Sequence, residues 1–170
     1  MVVLEDSRQQ AGKHTHIEQW MAAHGVEFIP RASALPFGDY MRDGSNISID
    51  TKKDVQELVM DVGRDHARFV RECVRARDAG YRLVVLVESS ARYNDPRALA
   101  QWVSGVCGRC RGCNPKASLQ CKKYRSKPMQ GQTLVKVLST MHDKYGVVFE
   151  FVPKRMAAQR ICDLLGVPYD

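Results

Sequence analysis

Asp39, Asp50 and Lys52 are three residues whose types and spacing could do chemistry together. Between the two acids runs Arg42-Asp43-Gly44-Ser45-Asn46, which is strong turn chemistry. Ile47–Lys52 then alternates as a strand does when it pairs back across such a turn. A four-residue loop, Asp43 to Asn46, sets Arg42 opposite Ile47 and Tyr40 opposite Ile49, and so Asp39 opposite Asp50. A slip of one residue would carry Asp39 to the face of Ile47 and Ile49, against the hydrophobic pattern. Lys52 lies two residues beyond Asp50 and shares its face. Opposed carboxylates sit about 4.5–5.5 Å apart at Cβ and repel, so they call for a shared proton or a cation between them. A hard divalent ion, Mg²⁺ or Mn²⁺, suits oxygen ligands and fills its shell with waters and a substrate phosphate. It would polarise a phosphoryl oxygen and acidify a bound water, with Lys52 placed to orient or activate that water and to offset developing negative charge. The same spacing also fits an exposed hairpin joined by a surface salt bridge worth little.

A second constellation is Cys107, Cys110, Cys113 and Cys121, four soft ligands within fifteen residues. Thiolates at this spacing suit tetrahedral Zn²⁺. An iron–sulfur cluster is the rival, since the CxxCxxC run also matches ferredoxin spacing, and unligated loop cysteines are the third reading. The net charge of +7 is concentrated here: nine Lys or Arg and no Asp or Glu lie between Pro96 and His142. The remaining residues carry 17 basic against 19 acidic side chains, a net of −2. One local basic surface is what a protein that meets a polyanion needs; a merely soluble lysine-rich loop is the plainer alternative. Cys73 and Cys162 fall within helical patterns and read as buried thiols.

The elements that must position these groups follow from periodicity. Val2–Leu4 begins a strand ending in Glu5-Asp6, and a helix from about His16 is stopped by Gly25. His14 and His16 flank that helix start and read as solvated; His24 could join them in a site. Val26–Ile29 reads as a strand, with Ala34–Met41 a third strand or its continuation. Val55 to Ala79 reads as one long helix with an apolar face, which Gly63 could bend or split. Leu83–Val87 is an apolar strand of the kind buried on both faces of a sheet, and Pro96–Val103 suggests a short helix. Residues 104–128 read as an irregular, basic, Cys-rich insert. A helix at Thr133–Tyr145, a strand at Val147–Val152 and a helix at Arg155–Leu165 complete an α/β domain on a mixed sheet. On the long helix, Arg64, Arg68 and Arg71 share a stripe, and Arg68 is the one expected to face phosphate.

At this point the residues carry a resemblance. Pro36-Phe37-Gly38-Asp39-Tyr40 with Ile49-Asp50-Thr51-Lys52-Lys53 resembles the GDY…(E/D)-x-K signature of the XPF-type nuclease domain in the PD-(D/E)XK superfamily. Asp6-Ser7-Arg8-Gln9 resembles that family's D-x-R-E, and Gly131-Gln132-Thr133-Leu134…Tyr145-Gly146-Val147 with Phe149-Glu150-Phe151 resembles its late helix-then-strand unit. The likeness runs in order from about residue 3 to residue 166. It implies a restriction-endonuclease-like mixed central sheet flanked by helices. It also implies a Mg- or Mn-dependent endonuclease acting on DNA, structure-specific for flap, fork or junction DNA in repair or recombination. By resemblance Asp39, Asp50 and the main-chain carbonyl of Thr51 are metal ligands, Lys52 is the catalytic lysine and Asp6 sits beside them. Arg8, Arg68, Arg109, Arg111, Lys122, Lys123 and Arg125 are the residues expected on DNA. Three positions depart from the family: Asp50 where Glu is usual, Gln9 where it has Glu, and Gln56 where it has Asp, with Asp54 and Glu57 nearby.

The other readings are a non-catalytic DNA-binding or scaffold protein on the same fold, and a Zn-stabilised basic module whose hairpin carboxylates are incidental. The 170 residues read as one domain, without a signal peptide or an apolar run long enough to cross a membrane, and the expected location is cytoplasmic. Related nucleases often carry helix-hairpin-helix modules after the nuclease domain. This chain ends at Asp170 without one and is expected to act alone, as a homodimer or beside a partner protein that supplies substrate targeting.

Overall fold

The turn chemistry at Arg42–Asn46 joins two antiparallel strands, β3 (Tyr40–Arg42) and β4 (Ile47–Lys52), with Tyr40 opposite Ile49 and Met41 opposite Ser48. This is the register the hairpin pattern dictates. The computed structural model describes residues 1–10, 12–90, 93–118 and 120–170. It places the hairpin at the centre of a six-stranded mixed sheet with β1 (Val3–Asp6), β2 (Phe28–Ser33), β5 (Arg82–Glu88) and β6 (Val148–Val152), in the order β2-β1-β3-β4-β5-β6. β1 runs parallel to β2 and antiparallel to β3, whereas β4, β5 and β6 are mutually parallel neighbours.

Alternation along the strands splits the core in two. Val3, Tyr40, Ile49, Val84 and Leu86 pack under α1 (Thr15–Ala23) and α7 (Ala157–Leu165). Leu83, Val85 and Val87 point the other way, toward α2 (Val55–Val62), α3 (His66–Asp78) and α6 (Gly131–Tyr145). β5 is buried at every position after Arg82, as an apolar strand sandwiched between helices must be. The shorter α4 (Pro96–Leu99) and α5 (Gly105–Arg109) lead into the Cys-rich segment.

Three elements differ from the sequence reading, each for a local reason. The helix read over Val55–Ala79 is two helices. At Gly63 (φ −107°, ψ −84°) the chain leaves α2, and a Cβ there would meet the Val59 carbonyl oxygen at 2.8 Å. The strand read over Ala34–Met41 is confined to Tyr40–Arg42. Pro36 has no N–H to give a ladder, and Gly38 turns with φ +61°. At the sheet edge, β2 carries two more residues than β1 between the Leu4–Ile29 and Asp6–Ser33 pairs. Pro30 and Arg31 (φ 48°) form that bulge, and the Arg31 N–H donates to the buried Glu5 carboxylate at 3.2 Å.

Candidate active site

Asp50 and Lys52 project from β4 onto the face covered by α2 and α3. Asp39 arrives from the irregular segment just before β3, and Gly38 makes that approach possible. A Cβ at Gly38 would lie 2.7 Å from both the Ile49 carbonyl oxygen and the Ser48 hydroxyl. The close contact is used: the Asp39 N–H donates to Ile49 O at 2.7 Å, and the Ser48 hydroxyl to Phe37 O at 2.5 Å. Asp39, Asp50, Lys52 and Asp6 open together into a cleft of about 380 Å³, with Arg8, Gln9, Asp61, Arg68, Glu72 and Arg75 on its walls.

Lys52 is the hub. Its ammonium lies 2.7 Å from Asp50 Oδ2 and 2.8 Å from Asp61 Oδ2, and Arg68 closes the outer side of Asp61 at 2.7 Å. Burial opposes the charge on Lys52, yet Asp50 and Asp61 outweigh it and hold the ammonium well above the ordinary lysine range. Burial pushes the Asp50 carboxyl up to about 6; Lys52 pulls against this and the Asp39 charge adds to it. Burial raises the Asp39 carboxyl too, against hydrogen bonds from Thr51. Both the N–H (2.8 Å) and the hydroxyl of Thr51 donate to Asp39 Oδ2, while the Gln9 amide donates to Oδ1. Burial likewise raises Glu72, followed by the nearby Asp50 charge. Asp39, Asp50 and Glu72 are thus crowded together at a buried place where their negative charge is held at a cost.

Asp6 lines the same cleft with its oxygens engaged. It accepts from Arg8 N (2.7 Å), Nε (2.8 Å) and the terminal guanidinium nitrogen (2.6 Å), and from Leu35 N (2.8 Å). Burial pushes its carboxyl up, but these donors win and hold it below the usual range. Asp6 therefore fixes Arg8 at the cleft mouth, where the guanidinium also reaches the Leu35 carbonyl at 2.9 Å.

The sequence readings are separated by this geometry. Asp39, Asp50, Thr51, Lys52, Asp6, Arg8 and Arg68 come together. Cys107, Cys110, Cys113, Cys121, Arg109, Arg111, Lys122, Lys123 and Arg125 do not line the cleft. The Arg64–Arg68–Arg71 stripe is broken by the split helix: Arg64 precedes α3 and lines a different groove, and Arg68 lines the cleft. Asp54 and Glu57 are helix caps, Asp54 accepting from Glu57 N and Glu57 from Lys53 N, both at 2.7 Å. Asp61 and Glu72 carry no sequence motif. Asp61, however, stands three residues after Leu58 on the apolar stripe of α2 and is itself buried, an acid where the pattern asks for a hydrophobe. No family model and no curated protein matches this chain.

His14 is not solvated, and His16 is only half-buried. His14 is buried with Nδ1 2.7 Å from the Tyr40 hydroxyl, which donates to Glu5 at 3.1 Å, and His16 meets Glu88 at 2.5 Å. Burial pushes His14 down to about 4, with the Lys13 charge second, so it is neutral and its 3.9 Å approach to Glu5 is no ion pair. His24 stacks on Trp20 with ring centroids 4.0 Å apart.

A larger groove, about 790 Å³, lies on the other side of α2, between that helix, the 100–106 segment and the insert. Its walls include Arg64, Lys116 and Lys127 with Trp102 and Met129, and no acidic side chain. Its size does not make it the reacting site, since it brings together no paired carboxylates. Among the described residues, no three His, Cys, Asp or Glu side chains already stand in metal-holding geometry. No described helix is long and apolar enough to cross a membrane.

Proposed function

We propose that the chain is a divalent-metal-dependent deoxyribonuclease on a restriction-endonuclease-like sheet, its active site the Asp39–Asp50–Lys52 cleft. The observation that carries this reading is Lys52, clamped between Asp50 and Asp61 beside the Asp39 carboxylate in one open cleft. The donors are hard oxygens, which fit Mg²⁺ or Mn²⁺, and a cation there would offset the burial and the Asp39 charge that raise the Asp50 carboxyl. Asp39 and Asp50, with the Thr51 carbonyl, would hold the ion, and Gln9 turned over would offer its amide oxygen beside them. Such an ion supplies Lewis acidity toward the phosphoryl oxygen and a more acidic water.

The chain's own residues divide the remaining work. Lys52, held protonated, cannot take the proton of an attacking water; it is a fixed cation facing the charge that grows on the phosphoryl oxygens. Asp61 and Arg68 keep it in place. Arg8 and Arg75 stand at the walls where flanking phosphates would pass. The acid-free groove with Arg64, Lys116 and Lys127, together with the insert's Arg109, Arg111, Lys122, Lys123 and Arg125, would carry the rest of the DNA by sequence-independent phosphate contacts.

A second reading, a DNA-binding or scaffold protein without activity, is favoured by one detail: Gln9 and Thr51 satisfy Asp39, and Lys52 satisfies Asp50, without any ion. Cleavage of flap, fork and linear duplex DNA, with and without Mg²⁺, separates the two. Mg²⁺-dependent cutting lost in Asp50→Asn supports the nuclease. Cutting unchanged in that variant overturns the site, and DNA binding without cutting by wild type favours the scaffold.

A further inference from the structure

We infer that Cys107, Cys110, Cys113 and Cys121 form a structural tetrathiolate zinc site that holds the insert together, independent of the carboxylate cleft. From Gly105 to Gln130 not one described residue is buried, and beyond the single turn of α5 the segment has no helix or strand until α6. Apolar burial cannot fold such a stretch, and side-chain and backbone ordering must still be offset. The four cysteines are nevertheless less exposed than most of their neighbours, all four are free thiols, and all four line one small void of about 10 Å³ with Pro115 and Tyr124. A void of that size takes roughly one water-sized sphere, which is room for one ion.

Two donors face the sulfurs. The Tyr124 N–H donates to Cys121 Sγ at 3.3 Å, and the Gln130 amide lies 3.7 Å from Cys107 Sγ. Thiolates accept such bonds better than neutral sulfur does, and they are how a site tunes its ligands. On binding Zn²⁺ the four thiols release four protons and leave a centre of net charge −2. Arg109, Arg111, Lys122 and Lys123 stand beside the ligands in sequence, in a stretch from Pro96 to His142 with no acid to oppose them. Soft sulfur donors select Zn²⁺ over the hard ions suited to the cleft. The four sulfurs do not already stand in ligand geometry, so binding would have to draw them together within this irregular segment.

Elemental analysis of the purified full chain, and of chain stripped by chelator and reloaded with Zn²⁺, should give one zinc per molecule. Cys110→Ser/Cys113→Ser should give none, and Asp39→Ala should keep its zinc. Co²⁺ titration of stripped wild type should develop the strong visible bands of tetrahedral thiolate cobalt at one equivalent, a measurement that needs no variant to fold. The proposal is overturned by zinc retained in the cysteine variant or lost in Asp39→Ala. Iron with visible absorbance would equally overturn it, as would four thiols that react freely in the metal-loaded native protein. Zinc bound in a chain that cuts no DNA would sink the nuclease and leave this site standing.

Discussion

At the scale of single residues, the crowding of Asp39, Asp50, Asp61 and Glu72 around one ammonium makes firm demands. Asp50→Asn removes a buried charge that the fold tolerates poorly. It should lower cleavage by about 100-fold or more while leaving Tm unchanged or raised. Mg²⁺ binding by wild type should strengthen as pH rises through about 6, where the Asp50 carboxyl of the metal-free chain ionises. The stability of metal-free protein should move the other way. The Asp50 carboxyl is raised on folding, so the folded chain binds more protons between about 4 and 6, and this stability is lost as pH rises through that window. His14 works in the opposite sense. It is pushed down to about 4, so below its ordinary range the unfolded chain binds the extra proton, and stability falls on acidification. His14→Asn should therefore flatten the acid limb of a Tm–pH curve, and a limb of unchanged steepness would refute a buried neutral His14. Asp61→Asn tests the other half of the clamp: cleavage should fall, and Lys52 should titrate lower by NMR.

At the scale of elements, the site rests on a glycine and a helix break. Gly38→Ala puts a methyl group against Ile49 O and holds a left-handed backbone with an L side chain. Its cost of about 1–3 kcal/mol should appear as a Tm drop of roughly 5 °C, with activity lost further as Asp39 shifts; an unchanged Tm would refute the tight approach. This is also the scale at which the sequence was most and least legible. The β3–β4 register was legible at Tyr40–Ile49 and Met41–Ser48, because turn chemistry and a period of two fix it, whereas Asp39, read as paired with Asp50, lies just outside the strand. The break in the long helix was legible as an option at Gly63, where α2 ends, but the aligned stripes on either side hid how far the chain turns there. Asp61 left a mark, an acid on the apolar stripe of α2, but its role depends on how α2 sits over β4, a tertiary fact. His14 was misread because polar residues at a helix start are usually wet, whereas here Tyr40 and Glu5 bury it.

At the scale of the whole molecule, the cleft mixes its acids with Arg8, Lys52, Arg68 and Arg75, whereas the groove beyond α2 has only basic residues among its charged walls. If the acid-free groove carries phosphates, DNA affinity should fall steeply with salt. The log–log slope should shrink by about 0.9 for each of Arg64, Lys116 and Lys127 replaced by Ala, in proportion to the phosphates no longer neutralised. A slope unmoved by the triple variant would take the groove out of the binding surface. The mixed sheet itself was legible as a class from alternating strands and helices. Its strand order was not, since crossovers leave no local mark in the sequence.

The bulge at Pro30 and Arg31 has one more effect. A sheet's outermost strand offers a row of unpaired amides that can recruit a strand from another chain. On β2 that row is interrupted by a residue without an N–H and by another whose backbone turns inward to Glu5. Open-ended stacking of copies along that border is thereby blocked. If two molecules ever join their sheets, the continuous rim left to them is Val148–Val152.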